Sequence, residues 1–112
     1  MSALSDESAK LQVIADTYGY NAQSRQIIEE MAELTQAINK FWRKEMKCGN
    51  KLPITFSADN DYYFNLVEEI ADVEICIEQI KYLLGCSKMV GNYISEKIDR
   101  QIERIKRESE DN

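Results

Sequence analysis

Paired carboxylates occur twice in this sequence in the same local pattern. The run IIEEMAEL at residues 27–34 matches LVEEIADV at residues 66–73, position by position in chemical type. Each copy carries two carboxylates three residues apart, Glu30 with Glu33 and Glu69 with Asp72. Residues three apart are neighbours on a helix, and clustered carboxylate oxygens are ligands for hard divalent cations such as Mg²⁺ or Mn²⁺. The repeated pairs therefore predict a metal site.

Both copies have the apolar spacing of an amphipathic helix. Apolar residues recur at i, i+4, i+7 and i+11, a period typical of one helical face. They are Ile27, Met31, Leu34 and Ile38 in the first copy and Leu66, Ile70, Val73 and Ile77 in the second. We expect these stripes to be the buried core, with the acidic pairs at their borders. If the two helices pack through their stripes, the four carboxylates converge.

Convergence of carboxylates carries an electrostatic cost that a cation or bound protons must offset. Two like charges about 5 Å apart repel by roughly 3 kcal/mol at an effective dielectric constant near 20. Oxygen ligands alone favour Mg²⁺ or Mn²⁺. The chain has no histidine, which argues against a di-iron carboxylate bundle and against His-bearing zinc sites.

These motifs resemble a known family. Glu29-Glu30-x-x-Glu33 followed by Glu69-x-x-Asp72 is similar to the E-E-x-x-E … E-x-x-D pattern of the MazG-like, all-α nucleoside triphosphate pyrophosphohydrolases. The resemblance extends over residues 21–104. It implies a four-helix bundle and Mg²⁺ held by Glu30, Glu33, Glu69 and Asp72. It also implies attack by a metal-activated water that yields a nucleoside monophosphate and pyrophosphate. Glu29 then either orients this water or hydrogen-bonds to a metal ligand.

The resemblance also suggests substrate-binding residues on the last helix. Members of the family carry a Lys, a polar amide and an Arg there, and Lys97, Gln101 and Arg104 are similar, with Gln101 where Asn is more usual. Trp42 lies among cations near the end of the first motif helix. It could stack on a nucleotide base or pack in the core, and the sequence leaves both roles open.

Composition indicates one acidic domain covering residues 1–112. The net charge of −6, from 20 Asp and Glu against 14 Lys and Arg, disfavours nucleic acid as a partner. No apolar run is long enough to span a membrane, and residues 1–10 do not resemble a signal peptide. The odd number of cysteines, three, favours reduced thiols. We therefore expect a cytoplasmic protein.

Four helices are expected along the chain. A short N-terminal helix should end at Gly19, a second should run toward Lys44, a third should end at Gly85, and Ser87 should cap a fourth. The predicted buried face of the fourth is Val90, Ile94, Ile98, Ile102 and Ile105. Residues 47–62 should form a loop, and residues 108–112 a frayed tail. The broad apolar surface of the third helix favours a homodimer or homotetramer.

The sequence therefore predicts an all-α, Mg²⁺-dependent hydrolase that converts a nucleoside or deoxynucleoside triphosphate to the monophosphate and pyrophosphate. One alternative is a metal-dependent hydrolase of another nucleotide, such as a dUTP or dCTP specialist or an enzyme for nucleotide-sugars. Another is a helical interaction protein without catalytic activity, whose acidic residues only face solvent.

Overall fold

The computed structural model describes residues 7–45 and 61–111 of the chain and contains three helices there. They are α1 (Ser8–Glu45), α2 (Asp61–Leu84) and α3 (Ser87–Glu110). No strand occurs in these two ranges. The all-α class is confirmed. The predicted four-helix bundle is not, because the structure pairs α1 with α2 and leaves α3 largely unpacked. Most of the predicted loop at 47–62 lies outside the described residues.

Gly19 divides α1 into two arms. Its φ of 82° and ψ of 168° are not helical and belong to a region that essentially only glycine occupies. The N-terminal arm (residues 8–18) therefore leaves the axis of the long arm (residues 20–45), as expected for a short helix that stops at Gly19. The Tyr82 hydroxyl of α2 donates to the Asp16 carboxylate, with distances of 2.8 and 3.0 Å to its two oxygens. This contact holds the N-terminal arm against α2.

The long arm and α2 form an antiparallel pair. The Gln23 amide donates to the Gln79 side chain at one end, and the Phe41 and Tyr63 rings lie 6.4 Å apart at the other. Between these contacts, the residues that face the partner helix alternate spacings of three and four, as in a coiled coil. They form a seam, which consists of residues 23, 27, 30, 34, 37 and 41 in α1 and 66, 69, 73, 76, 80 and 83 in α2.

The predicted core stripes are partly wrong. Met31, Ile38, Ile70 and Ile77 are each at least 40% exposed, whereas Ala37, Val73 and Cys76 of the seam are buried. Each exposed residue follows a seam position by one and is therefore turned by about 100° from it. Because the helices are antiparallel, this rotation leads to the same side of the pair in both. Met31, Ile38, Ile70 and Ile77 thus form an exposed apolar face.

A defined turn separates α2 from α3. Gly85 has a left-handed φ of 65° and its N–H donates to the carbonyl of Tyr82 (3.1 Å), while the N–H of Cys86 donates to the carbonyl of Lys81 (3.0 Å). These two bonds are the Schellman motif, in which glycine ends a helix. Cys86 precedes α3 without a side-chain cap. The predicted end at Gly85 is confirmed, and the predicted cap at Ser87 is wrong because Ser87 already lies in the helix.

α3 has no buried residue, so its predicted buried face is wrong for the single protomer. Every residue from 91 to 111 is exposed, and the side chains of Ile94, Ile98, Ile102 and Ile105 are 50–57% exposed. The helix includes residues 108–110 of the predicted tail. The turn at Gly85 directs α3 away from the helix pair, and nothing in the described residues covers it. None of the described helices combines the length and hydropathy needed to cross a membrane.

Candidate metal centre

The seam places two glutamates between the helices. Glu30 and Glu69 occupy positions that a coiled coil normally fills with apolar side chains, and both are half-buried. Glu33 and Asp72 each follow one of them by three residues, which turns them about 60° away from the apolar side. In an antiparallel pair this rotation again leads to one side. The four carboxylates therefore share an acidic face opposite the apolar face.

Three of the four carboxylates converge. One oxygen each from Glu30, Glu33 and Glu69 lies within 4.8 Å of the other two. The fourth carboxylate, Asp72, is close enough for its charge to act on Glu30 and Glu69. The helices thus assemble a cluster with one half-buried carboxylate from α1, Glu30, and two from α2, Glu69 and Asp72.

Two oxygens of the cluster lack a partner. Glu30 Oε2 and Glu69 Oε2 are shielded from solvent and accept no hydrogen bond. The other oxygen of Glu30 accepts a hydrogen bond from Gln26 Nε2 at 2.8 Å. Buried acceptors are normally satisfied, and leaving one unsatisfied costs about 1–3 kcal/mol, more if it is charged. A cation between the helices would satisfy both oxygens.

Most of the electrostatic effects on the cluster are unfavourable for negative charge. Burial raises the pKa of Glu30; the Gln26 hydrogen bond opposes this, and the charges of Glu33 and Asp72 add to it. Burial is also the largest cause of the raised pKa of Glu69, and the charges of Glu33, Asp72 and Glu30 raise it further. No cationic side chain in residues 7–45 or 61–111 contributes to either shift. The metal-free site therefore favours binding of protons or of a cation.

The donor set fits a hard ion. Cys76 is buried beside the cluster, and burial, followed by the charges of Glu30 and Asp72, raises the pKa of its thiol. A protonated thiol is a poor metal ligand because the thiolate is the coordinating form. The available donors are then carboxylate oxygens, which Mg²⁺ and Mn²⁺ prefer. The two unpartnered oxygens and this donor set fit the predicted metal.

Other predicted site residues lie apart from the cluster. Glu29 is exposed beside Glu30. Trp42 is 59% exposed and follows Glu33 by nine residues, which places it on the opposite side of α1. Lys97, Gln101 and Arg104 line a shallow depression on α3 and add nothing to the electrostatics of Glu30 or Glu69. Their roles in binding substrate stay predictions.

Sequence reasoning missed the polar residues that support the cluster. Gln26 bonds to Glu30, and the buried pair Gln23 and Gln79 closes one end of the seam, about two helical turns from Glu30. The alternating spacing of three and four was the available signal. It would have placed Gln23, Glu30 and Glu69 inside the seam instead of at the edge of a stripe. No protein-family model, curated protein or solved structure matches the chain, so the geometry of the cluster and its motifs must carry the functional argument.

Proposed function

We propose that the protein is a Mg²⁺-dependent nucleoside triphosphate pyrophosphohydrolase, which converts a nucleoside or deoxynucleoside triphosphate to the monophosphate and pyrophosphate. The observation that carries this proposal is the convergence of Glu30, Glu33 and Glu69 with two buried oxygens left unpartnered. The resemblance of both acidic motifs to the MazG-like pattern supports the choice of a triphosphate substrate.

The metal ligands in this proposal are Glu30, Glu33, Glu69 and Asp72, with Mg²⁺ preferred and Mn²⁺ as a substitute. The bound ions would supply neutralisation of the triphosphate charge and activation of the attacking water. The helix pair contributes rigidity, because half-buried carboxylates on two packed helices stay in place without substrate. The chain has no histidine, so a Ser-His or Cys-His nucleophile is excluded.

The proposed reaction is hydrolysis of the bond between the α and β phosphates. A water oxygen bonds to one phosphorus, the bond from that phosphorus to the bridging oxygen breaks, and the two fragments are the monophosphate and pyrophosphate. Glu29 precedes a cluster carboxylate and is exposed. In the proposal it orients the water and accepts its proton, as carboxylates do in general base catalysis.

Recognition of the nucleotide requires groups beyond the carboxylates. Lys97, Gln101 and Arg104 are assigned to the phosphates, since cationic donors neutralise phosphate oxygens, and Trp42 is assigned to the base. We also propose a homodimer or a homotetramer. The exposed apolar face is the surface for a second copy, because large apolar patches mark protein contacts.

A product assay tests the proposed function. The purified protein is incubated with each common NTP and dNTP in Mg²⁺, and pyrophosphate and nucleotide products are measured. The expected result is release of pyrophosphate together with a monophosphate, lost when the metal is chelated. Release of phosphate with a nucleoside diphosphate, or no turnover of any triphosphate, would overturn the proposal.

A stability measurement separates an enzyme from a helical interaction protein, the alternative that the exposed apolar face favours. Bound Mg²⁺ should raise the free energy of unfolding by RT ln(1 + [L]/Kd), about 2.7 kcal/mol at a hundredfold excess over Kd. An interaction protein without a metal site would show no such rise. Nucleotide-sugars, dUTP and dCTP belong in the same product assay, because turnover of one of them alone would identify the narrower hydrolase.

A further inference from the structure

The charges of the acidic cluster and of α3 are complementary but lie apart in one protomer. No cationic side chain from the described part of the chain acts on Glu30 or Glu69, and Lys97 and Arg104 form no ion pair with a described residue. α3 carries six Lys and Arg against five Asp and Glu, whereas the rest of the chain carries eight against fifteen. The helix thus has a net charge of +1, against −7 for the rest of the chain.

The turn after α2 keeps α3 away from the cluster of its own protomer. Gly85 in a left-handed conformation and the two hydrogen bonds of the Schellman motif fix the direction in which the chain leaves α2. The carbonyl of Cys86 then accepts from the N–H of Val90 at 2.9 Å, which continues this geometry into the first turn of α3. Folding α3 back along its own α2 would require a different turn after Gly85.

A groove that could receive α3 lies beside the acidic face. Leu11 and Ile14 of the N-terminal arm and Ala71 and Ile75 of α2 line it, and its volume is about 380 Å³. Ile75 follows Asp72 by three residues, so the groove runs next to the metal ligands. The stripe formed by Ile94, Ile98, Ile102 and Ile105 is half exposed, and an amphipathic helix of this kind is stabilised mainly by burial of its apolar side.

We propose that α3 of one copy docks in this groove on a second copy and brings Lys97, Gln101 and Arg104 beside the carboxylates of that copy. Its isoleucine stripe covers the groove. The polar edge, offset from the stripe by about a sixth to a third of a turn, then faces the acidic cluster. Each site is composite, with the metal ligands from one chain and the cationic edge from the other. The role of that edge in holding a triphosphate depends on the proposed function.

Complementation between two defective chains tests this arrangement. Glu69→Gln removes a metal ligand, and the double variant Lys97→Gln, Arg104→Gln removes the cationic edge. The two chains are co-expressed with different tags, and oligomers that contain both are purified. In a mixed dimer, exchange of α3 builds one intact site from two defective chains and one doubly defective site. We expect about half of the wild-type turnover per dimer, against background for each variant alone.

Two measurements distinguish failure of the composite site from failure of the proposed function. Pyrophosphate release reports activity, and calorimetric titration with Mg²⁺ and inorganic tripolyphosphate counts sites without requiring hydrolysis. A wild-type protein that binds tripolyphosphate but hydrolyses no nucleotide defeats the proposed function only. Mixed dimers that show neither activity nor tripolyphosphate sites overturn the composite site, as does a wild-type protein that binds no tripolyphosphate.

A matched control uses two changes within the cluster. Oligomers that mix Glu69→Gln chains with Asp72→Asn chains have no intact set of metal ligands on either chain, so they should remain at background. Recovery in this mixture would show that the carboxylates of one site come from two chains, which contradicts the arrangement. Circular dichroism of each variant confirms that loss of function does not reflect unfolding.

Discussion

Glu30 and Glu69 take seam positions at which apolar side chains would stabilise the helix pair. Their half-buried carboxylates face each other, Glu33 stands beside them, and two of their oxygens have no partner. Burial and mutual repulsion raise the pKa of both groups. A structural role alone would favour leucine at these positions, since replacing a buried charge cluster by apolar residues is commonly neutral or stabilising. The arrangement is the kind found where a site is maintained at the expense of stability.

Removing one of these charges should lower activity without lowering the stability of the metal-free protein. Glu69→Gln relieves repulsion and the burial of a charge, so the metal-free protein should be as stable as the wild type or more stable. Turnover should fall by more than the about 10–100-fold that loss of an outer-shell metal partner costs. Thermal unfolding with and without Mg²⁺, beside the pyrophosphate assay, measures both. The exposed neighbour Glu68 provides the control Glu68→Gln, which should change neither; full activity in Glu69→Gln would remove this residue from the site.

The raised pKa values of Glu30 and Glu69 predict a pH dependence of stability. Their ordinary value is 4.5, so between that pH and the higher folded values the folded protein binds more protons than the unfolded chain. Lowering the pH from 7 toward 4.5 should therefore make the contribution of these groups to the free energy of unfolding more favourable in the metal-free protein. Urea unfolding across this range measures the slope. The variant Glu30→Gln, Glu69→Gln should lack this contribution, and identical slopes in the two proteins would contradict the assignment.

At the scale of elements, the position of the site depends on how the N-terminal arm and the seam are fixed. Gly19 lets the arm turn onto α2, where Tyr82 binds Asp16. The buried Gln23–Gln79 pair sets the register of the long arm against α2, because a slip would leave both amides unsatisfied. Buried polar pairs of this kind are the best-attested device for choosing helix register.

Substitution by alanine should have opposite effects on stability at Gly19 and at Gly91. A Cβ at either position meets no atom within 4 Å, so the backbone decides the outcome. Gly19→Ala should cost about 1–3 kcal/mol because alanine is strained at this φ and ψ. Gly91→Ala should stabilise α3 by about 0.5–1 kcal/mol, since its glycine is helical. Urea unfolding of both variants gives the free energies, and equal effects at the two positions would refute the break at Gly19.

Replacing one glutamine of the buried pair should destabilise the protein more than replacing both. Gln23→Leu alone leaves the buried Gln79 amide unsatisfied and should cost about 1–3 kcal/mol, whereas replacing both by leucine should be nearly neutral or stabilising. A double-mutant cycle by urea unfolding measures the coupling. Gln12→Leu, at an exposed position of the N-terminal arm, should change stability little. Additive effects of the changes at Gln23 and Gln79 would show that the side chains do not depend on each other.

The molecule exposes more apolar surface than is usual for a stable monomer. Its radius of gyration is 17.5 Å, against about 13 Å for a compact domain of 100 residues. α3 has no buried residue, and the residues of the apolar face are exposed. Fully burying one isoleucine is worth about 1.5–3 kcal/mol, so covering four that are half exposed would contribute about 3–6 kcal/mol. In the proposed oligomer, a second copy would cover the isoleucine stripe of α3.

Dilution should therefore reduce helicity and molecular mass together. An isolated helix of this length is marginal in water, so α3 should lose helix when the oligomer dissociates. Circular dichroism and light scattering over a wide range of protein concentration measure the two changes. Ile98→Glu should shift both transitions to higher concentration, and Asn92→Glu, off the stripe of the same helix, should not. A monomer whose helicity stays constant on dilution would contradict this prediction.

The sequence by itself determined the local features of the protein. The period of its apolar residues predicted helices, Gly19 and Gly85 marked where helices break or end, and the repeated spacing of Glu30 with Glu33 and of Glu69 with Asp72 predicted one shared cluster. The helices, their ends and the three-residue spacings depend on interactions within about one turn of helix, and a single segment contains the residues that make each of them. The meeting of the two acidic pairs also requires that the helices pack.

Only the tertiary structure decided which helical side faces the partner. Met31 and Ile70 looked like core residues, yet the seam lies one position earlier and encloses Glu30 and Glu69. Burial depends on the partner surface: the Gln23–Gln79 contact joins residues 56 positions apart, and no local period specifies it. For the same reason the isoleucines of α3 predicted a buried stripe but not its partner, and none of the described residues buries it.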